Sequence, residues 1–396
     1  MLAFILLLTG CTHAPAPTIA QETETTVSQT PNTTVVQETT VPETTPAEET
    51  TSTETQPTET TAAPTIEEIL LDTMTVEEKV GQLLLARCPD VNAIEDISTY
   101  HLGGYILFGR DFDNETPDTI KAKLTQYQSA ATIPLLIAVD EEGGTACRVS
   151  NRSAFRSTRF PSPRKLYESG GLAAITAAEE EKCQLLHDLG INVNMAPVCD
   201  VTTDPNAFMY SRSLGESPEV TGAFIQNTVA VMSQYQVGSV LKHFPGYGNN
   251  TDTHTGIATD TRSLETLESV DLFPFAAGIA LNCDAILVSH TIVTCLDEEF
   301  PASLSTAVHA YLREEMGFDG VIVTDDLIME AITQQYGAGE AAVLAVLAGN
   351  DLLCSTEYHI AYEAILKAVQ EGRISAELLD QAVLRLLRWK AKLGLL

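Results

Sequence analysis

The sequence predicts an α/β fold, a closed (β/α)8 barrel of the TIM type forming a single domain over residues 65–396. Eight short apolar runs come first among the reasons: QLLLAR (82–87), GGYILF (103–108), PLLIAVD (134–140), VNMAPV (193–198), SVLKHF (239–244), AILVSH (285–290), GVIVTD (320–325) and DLLCS (351–355). Apolar character on consecutive residues marks strands covered on both faces, as in a parallel sheet. Each run is followed by a helical stretch or a long loop, as βα units require. Ionisable residues end five consecutive runs, and barrel sites are built at that end of the strands. A doubly wound open sheet is the alternative architecture.

The elements follow in chain order. Met1–Leu8 is an apolar run too short for the roughly twenty residues that span a bilayer, and it reads as the core of a signal peptide. Leu8-Thr9-Gly10-Cys11 resembles a bacterial lipobox, which implies cleavage and lipidation at Cys11. No Lys or Arg precedes the run, which admits a start codon further upstream. Residues 12–64 are Thr, Glu, Pro, Ala and Gln without Lys or Arg, and such a segment is expected to be a disordered linker. A flexible chain of that length averages roughly 40 Å end to end. The expectation is a barrel held by a stalk on the outer face of a bacterial membrane, a monomer touching the membrane through its lipid alone.

Helical signals begin near Ile66, with a Thr75-x-x-Glu78 capping box after the first turn. PDTIKAKLTQYQSA, AAITAAEEEKCQLLHDL, SPEVTGAFIQNTVAVMSQY and LSTAVHAYLREEM supply helices between strands, and two more, 358–371 and 375–393, close the chain. Lys and Arg number 22 against 54 Asp and Glu, a net charge of −32 that argues against nucleic acid as a partner. The Cys residues after Cys11 are scattered without metal-ligand spacing, so they read as small buried hydrophobes with few or no disulfides.

The strand ends hold the chemistry. Asp140-Glu141-Glu142-Gly143-Gly144 ends the third run, and Asp200 and Tyr210-Ser211-Arg212-Ser213 follow the fourth. Lys242-His243 ends the fifth, Ser289-His290 the sixth, and Thr324-Asp325-Asp326 the seventh. Together with Arg148 they describe a charge-balanced polar pocket. Phosphate-cradling glycine loops and metal-binding His spacings are lacking, so no cofactor or metal is expected. Mixed donors and acceptors suit a neutral polyol, and glycosyl transfer needs a carboxylate at the anomeric carbon plus a proton donor for the leaving oxygen.

KHFPGYGNNTDTH resembles the KHFPGHG…DSH signature of bacterial β-N-acetylhexosaminidases of glycoside hydrolase family 3. GVIVTDDLIMEAI is similar to the family's nucleophile segment, and AVDEEGG, NMAPVCDV, SRSLG and VSHTIVTCLDEEFPASLS resemble further family motifs in the family's order. The resemblance implies that Asp325 is the nucleophile and that His254, oriented by Asp252, is the general acid and base. It implies too that Asp140, Arg148, Arg212, Lys242 and His243 hold the sugar. A loop His titrates near neutral pH and suits a proton that is given and recovered. Tyr247 stands where the family has His, Thr145 where an Arg is common, and Thr253 where Ser is usual.

The expected activity is a retaining exo-β-N-acetylglucosaminidase cutting terminal GlcNAc from peptidoglycan fragments or other glycans. A family 3 β-glucosidase, substrate-assisted chemistry on the Asp325-Asp326 pair, and a non-catalytic barrel that binds cell-wall glycans are the alternatives.

Overall fold

The computed structural model describes residues 63–248, 258–333 and 335–396. The expected signal peptide with Cys11, the expected linker as far as residue 62, and Asp252 and His254 lie outside the described residues. Residues Ala62–Leu396 form one compact unit.

All eight expected strands are present: β1 Leu84–Arg87, β2 Gly104–Leu107, β3 Leu136–Val139, β4 Val193–Asn194, β5 Gly238–Phe244, β6 Ala285–Val288, β7 Val321–Thr324 and β8 Leu353–Ser355. The sheet order is β7-β6-β5-β4-β3-β2-β1-β8, with every neighbouring pair parallel. A parallel bridge between Val323 and Leu352, with Thr324 N–H donating to Leu352 O, draws β7 to β8 and closes the ring. An open doubly wound sheet is thereby ruled out. Leu136, Ile137, Ala138 and Val139 are wholly buried, as expected of a strand packed on both sides.

β4 is shorter than its apolar run because Pro197 has no N–H to donate to a ladder. Beyond it the pairing is reduced to single contacts with β5, including a parallel bridge from Val198 to Lys242. Helices lie where their periodicity predicts: Pro117–Ala130, Pro218–Gln234, Tyr358–Gln370 and Ala376–Lys392. Thr75 and Glu78 form the predicted capping box, each side chain accepting the other's backbone N–H. The helix expected from Ala173 begins earlier, at Pro163, and is broken by non-helical geometry at Gly170 and Gly171. The stretch after Ser305 is an α-helix, Thr306–Ala310, that widens into a π-turn over Tyr311–Glu315. All seven described cysteines are free thiols, six of them buried.

One buried charge marks the base of the barrel. Lys390 is wholly inaccessible, and its Nζ donates to Gln82 Oε1 at 2.6 Å just before β1. Burial pulls its pKa down to about 7. Between pH 7 and the unfolded lysine value of about 10.4 the unfolded chain binds the extra proton, so native stability rises with pH across this window. Below pH 7 both states carry the charge and the dependence flattens. Denaturant titrations of wild type and Lys390→Met at pH 7 and pH 10 are expected to show wild type gaining on the order of 2–4 kcal/mol relative to the variant.

Candidate active site

A cleft of about 420 Å³ lies at the C-terminal ends of the strands. Asp140, Arg148, Arg212, Lys242, His243 and Asp325, drawn from sequence positions up to 185 residues apart (325 − 140), all line it. The structure thus brings together the described residues expected to hold the ligand, with Asp325. A larger hollow of about 580 Å³, bordered by Asp204, Glu216, Gly248 and Arg262, contains none of them.

Lys242 is the centre of the charge network. Its side chain is 3% exposed, and Nζ lies 2.7 Å from both Asp140 Oδ1 and Glu142 Oε1. Arg212 grips Glu142 with two bonds, Nε to Oε2 at 3.0 Å and Nη2 to Oε1 at 2.7 Å. Arg148 Nη2 reaches the other oxygen of Asp140 at 3.4 Å. Burial opposes charge on Glu142, but the adjacent Lys242 and Arg212 outweigh it and hold the carboxyl well below the usual range. Burial likewise opposes charge on Lys242, and Asp140 and Glu142 reverse that, leaving its pKa raised. Glu142, Lys242 and Arg212 therefore stay ionised, and with Asp140 they present a fixed set of donors and acceptors to a hydroxylated ligand.

His243 is oriented from behind. Its Nδ1 lies 2.8 Å from Asp200 Oδ2, and Nε2 faces Arg212 Nη2 at 3.2 Å. Asp200 Oδ1 also accepts the Tyr247 N–H at 2.8 Å. The Tyr247 ring stands edge-on to His243 at 5.2 Å and packs with Phe208, Val198 and Met209. Tyr247 at this position is thus an apolar brace for the imidazole. Thr145 sits exposed at the cleft rim, in the turn after Gly144.

Glu141 and Glu142 illustrate how adjacent identical residues diverge. Glu141 accepts the N–H groups of Arg148, Val149 and Ser150, folding back the hairpin that delivers Arg148. Glu142 was not singled out from the sequence, although strand alternation places it with Asp140 and opposite Glu141. Asp200 was noted at a strand end but given no role.

Asp325 follows β7, and its N–H donates to Val288 O while its Oδ1 accepts the Asp326 N–H at 2.9 Å. Asp326 is differently employed: its carboxylate accepts the Thr356 hydroxyl at 2.6 Å and the N–H groups of Ile328 and Thr356. His290, another expected strand-end group, is wholly buried between Ser303 Oγ and Asp326 O. It supports the β7 end from behind, and the strand-end pattern overcounted it as a pocket group.

The chain leaves the cleft toward residues 249–257 through Gly246 (φ +116°) and Gly248 (φ +54°). A Cβ at Gly246 would lie 2.5 Å from Asp271, and one at Gly248 2.5 Å from the Arg262 guanidinium. Arg262 joins Asp271 to Asp260 on the returning arm, at 2.6 Å each. Only glycine therefore fits at both positions, because Asp271 and Arg262 close over the outgoing backbone.

Glu142→Gln removes the shared partner of Lys242 and Arg212, leaving buried cations undercompensated. Stability is expected to fall by about 3–5 kcal/mol, read as a lower denaturation midpoint, together with weaker sugar binding.

A closed parallel barrel with a charge-lined cleft at the C-terminal strand ends defines a class, the (β/α)8-barrel enzymes, and comparison narrows it. Residues 75–389 match the Glycosyl hydrolase family 3 N terminal domain, and the chain belongs to that family. It is a glycoside hydrolase. It is 31% identical to the β-hexosaminidase LpqI of Mycobacterium tuberculosis over 329 residues, covering 80% of this chain and 83% of that protein. Identity to the β-hexosaminidase of Methylococcus capsulatus is 34%, over 69% of this chain and 81% of that one. The solved family 3 β-N-acetylglucosaminidase of Paenibacillus sp. FPU-7 superposes with a TM-score of 0.76 at 35% identity, over 81% of this chain and 63% of that one.

Proposed function

We propose that this glycoside hydrolase is a retaining exo-β-N-acetylglucosaminidase. The observation that carries the reading is the hydrogen-bonded Asp140–Lys242–Glu142–Arg212 network facing the same cleft as Asp325. Such a network binds ring hydroxyls in one orientation, which sets an anomeric carbon against a carboxylate fixed at a strand end. The names of the β-hexosaminidase relatives support N-acetylhexosamine as the sugar.

In this mechanism Asp325 attacks the anomeric carbon, and the glycosidic bond breaks as His254 gives its proton to the leaving oxygen. Asp252 holds His254 in the needed tautomer. His254 then takes a proton from water, which attacks the same carbon and releases the sugar with its configuration retained while Asp325 leaves as carboxylate. The reaction as written uses no cofactor. Asp326 is engaged by Thr356, which favours Asp325 acting without a second carboxylate over substrate assistance by the pair.

Nitrophenyl-GlcNAc and nitrophenyl-glucose assayed side by side test the reading. Preferential release from GlcNAc, with β-GlcNAc as the first product by NMR, is expected. Preference for glucose would favour the β-glucosidase alternative, and no turnover of either would favour a glycan-binding barrel. The proposed setting is the outer face of a bacterial membrane, where Cys11 carries lipid and the substrates are peptidoglycan fragments. Mature protein with an unmodified Cys11 by mass spectrometry would exclude the anchor.

A further inference from the structure

We infer that Arg87, stacked on Phe108 in the cleft, forms a subsite for a carboxylate carried by the leaving-group sugar. The inference rests on the proposed hydrolysis and adds a charge requirement to its substrate. Arg87 is the last residue of β1 and lines the cleft. Its guanidinium carbon lies 4.6 Å from the Phe108 ring centre, and that of Arg148 lies 5.9 Å from the same centre. Both Nε atoms are buried without a hydrogen-bond partner among the described residues.

The other cations of the cleft are matched: Lys242 by Asp140 and Glu142, Arg212 by Glu142, and Arg148 by a longer contact to Asp140. No described carboxylate pairs with Arg87, in a chain where acids outnumber bases 54 to 22. A half-buried guanidinium is ordinarily paired. Stacking on Phe108 pre-orders this one, so little side-chain freedom is lost when an anion arrives. The planar fork suits an oxyanion held by two bonds.

Strand order indicates which part of the substrate reaches it. The residues that grip the sugar sit at the ends of β3 and β5 and beyond β4, whereas β1 lies across the ring beside β8, which adjoins the β7 end carrying Asp325. A group that touches Arg87 therefore reaches past a ring held by Lys242 and His243, toward the Phe108 side of the cleft.

The test compares GlcNAc-β-1,4-N-acetylmuramic acid with its methyl ester, which differ by one negative charge. Wild type is expected to favour the acid by about tenfold or more in kcat/KM, the usual effect of one charged hydrogen bond. In Arg87→Gln the acid-to-ester ratio falls to near one, and Arg87→Lys retains part of it. Because each ratio is taken within one enzyme, general losses of activity cancel, and Arg87→Lys keeps the charge test readable if Arg87→Gln folds poorly. Calorimetric binding of free N-acetylmuramic acid and its methyl ester repeats the comparison without turnover, so a failed hydrolysis reading is distinguished from a failed subsite. A wild-type ratio near one, or an unchanged ratio in Arg87→Gln, would overturn the inference. Inorganic phosphate yielding sugar 1-phosphate in an Arg87-dependent way would also overturn it, assigning the arginine to an acceptor anion.

Discussion

Asp325→Asn is expected to lower kcat by about 10⁴-fold or more with nitrophenyl-GlcNAc, as loss of a covalent nucleophile does. The amide has the size of the carboxyl and keeps an oxygen to accept the Asp326 N–H, a bond of 2.9 Å in the native protein. It cannot form the glycosyl ester, so the chemical step fails while the fold holds. Thermal melting within a few degrees of wild type would separate the two effects. A loss of only tenfold in a well-folded variant would place the nucleophile elsewhere.

His254→Ala has a different signature, because the residue is assigned to proton transfer. Its loss is expected to reduce kcat/KM by about 10²–10⁴ for unactivated disaccharides. Dinitrophenyl-GlcNAc, whose leaving group needs no proton, should lose far less in the same parameter. Water attack on the intermediate still lacks its base, so the variant should release a burst of dinitrophenolate and then stall. Equal losses for good and poor leaving groups would make His254 structural.

The barrel was legible because its strands are covered on both faces and so read as unbroken apolar runs, each matched by an observed strand. Where a run overstated the strand, at VNMAPV, Pro197 had removed a donor. Cleft-lining residues were legible at the strand ends, where Asp140, Lys242 and Asp325 all fall. The pattern failed where polar neighbours divide their labour. Glu141 and Glu142 differ only in the side of the chain they occupy, and alternation would have distinguished them. Asp325 and Asp326 differ in whether Thr356 is within reach, which depends on residues 30 positions away from Asp326. His290 also ends a strand run, but in the fold it is wholly buried and meets Ser303 and the Asp326 carbonyl. Arg87 carried no signal, because its interest lies in the absence of a described partner, and partners are a property of the folded chain.

Trapping the enzyme with a 5-fluoro derivative of GlcNAc bearing a good leaving group tests the central claim most directly. Slow release of the fluorosugar should leave a covalent adduct, and peptide mapping is expected to find one sugar mass on the peptide containing Asp325. An active enzyme that yields no adduct, or carries it on another residue, would contradict the account.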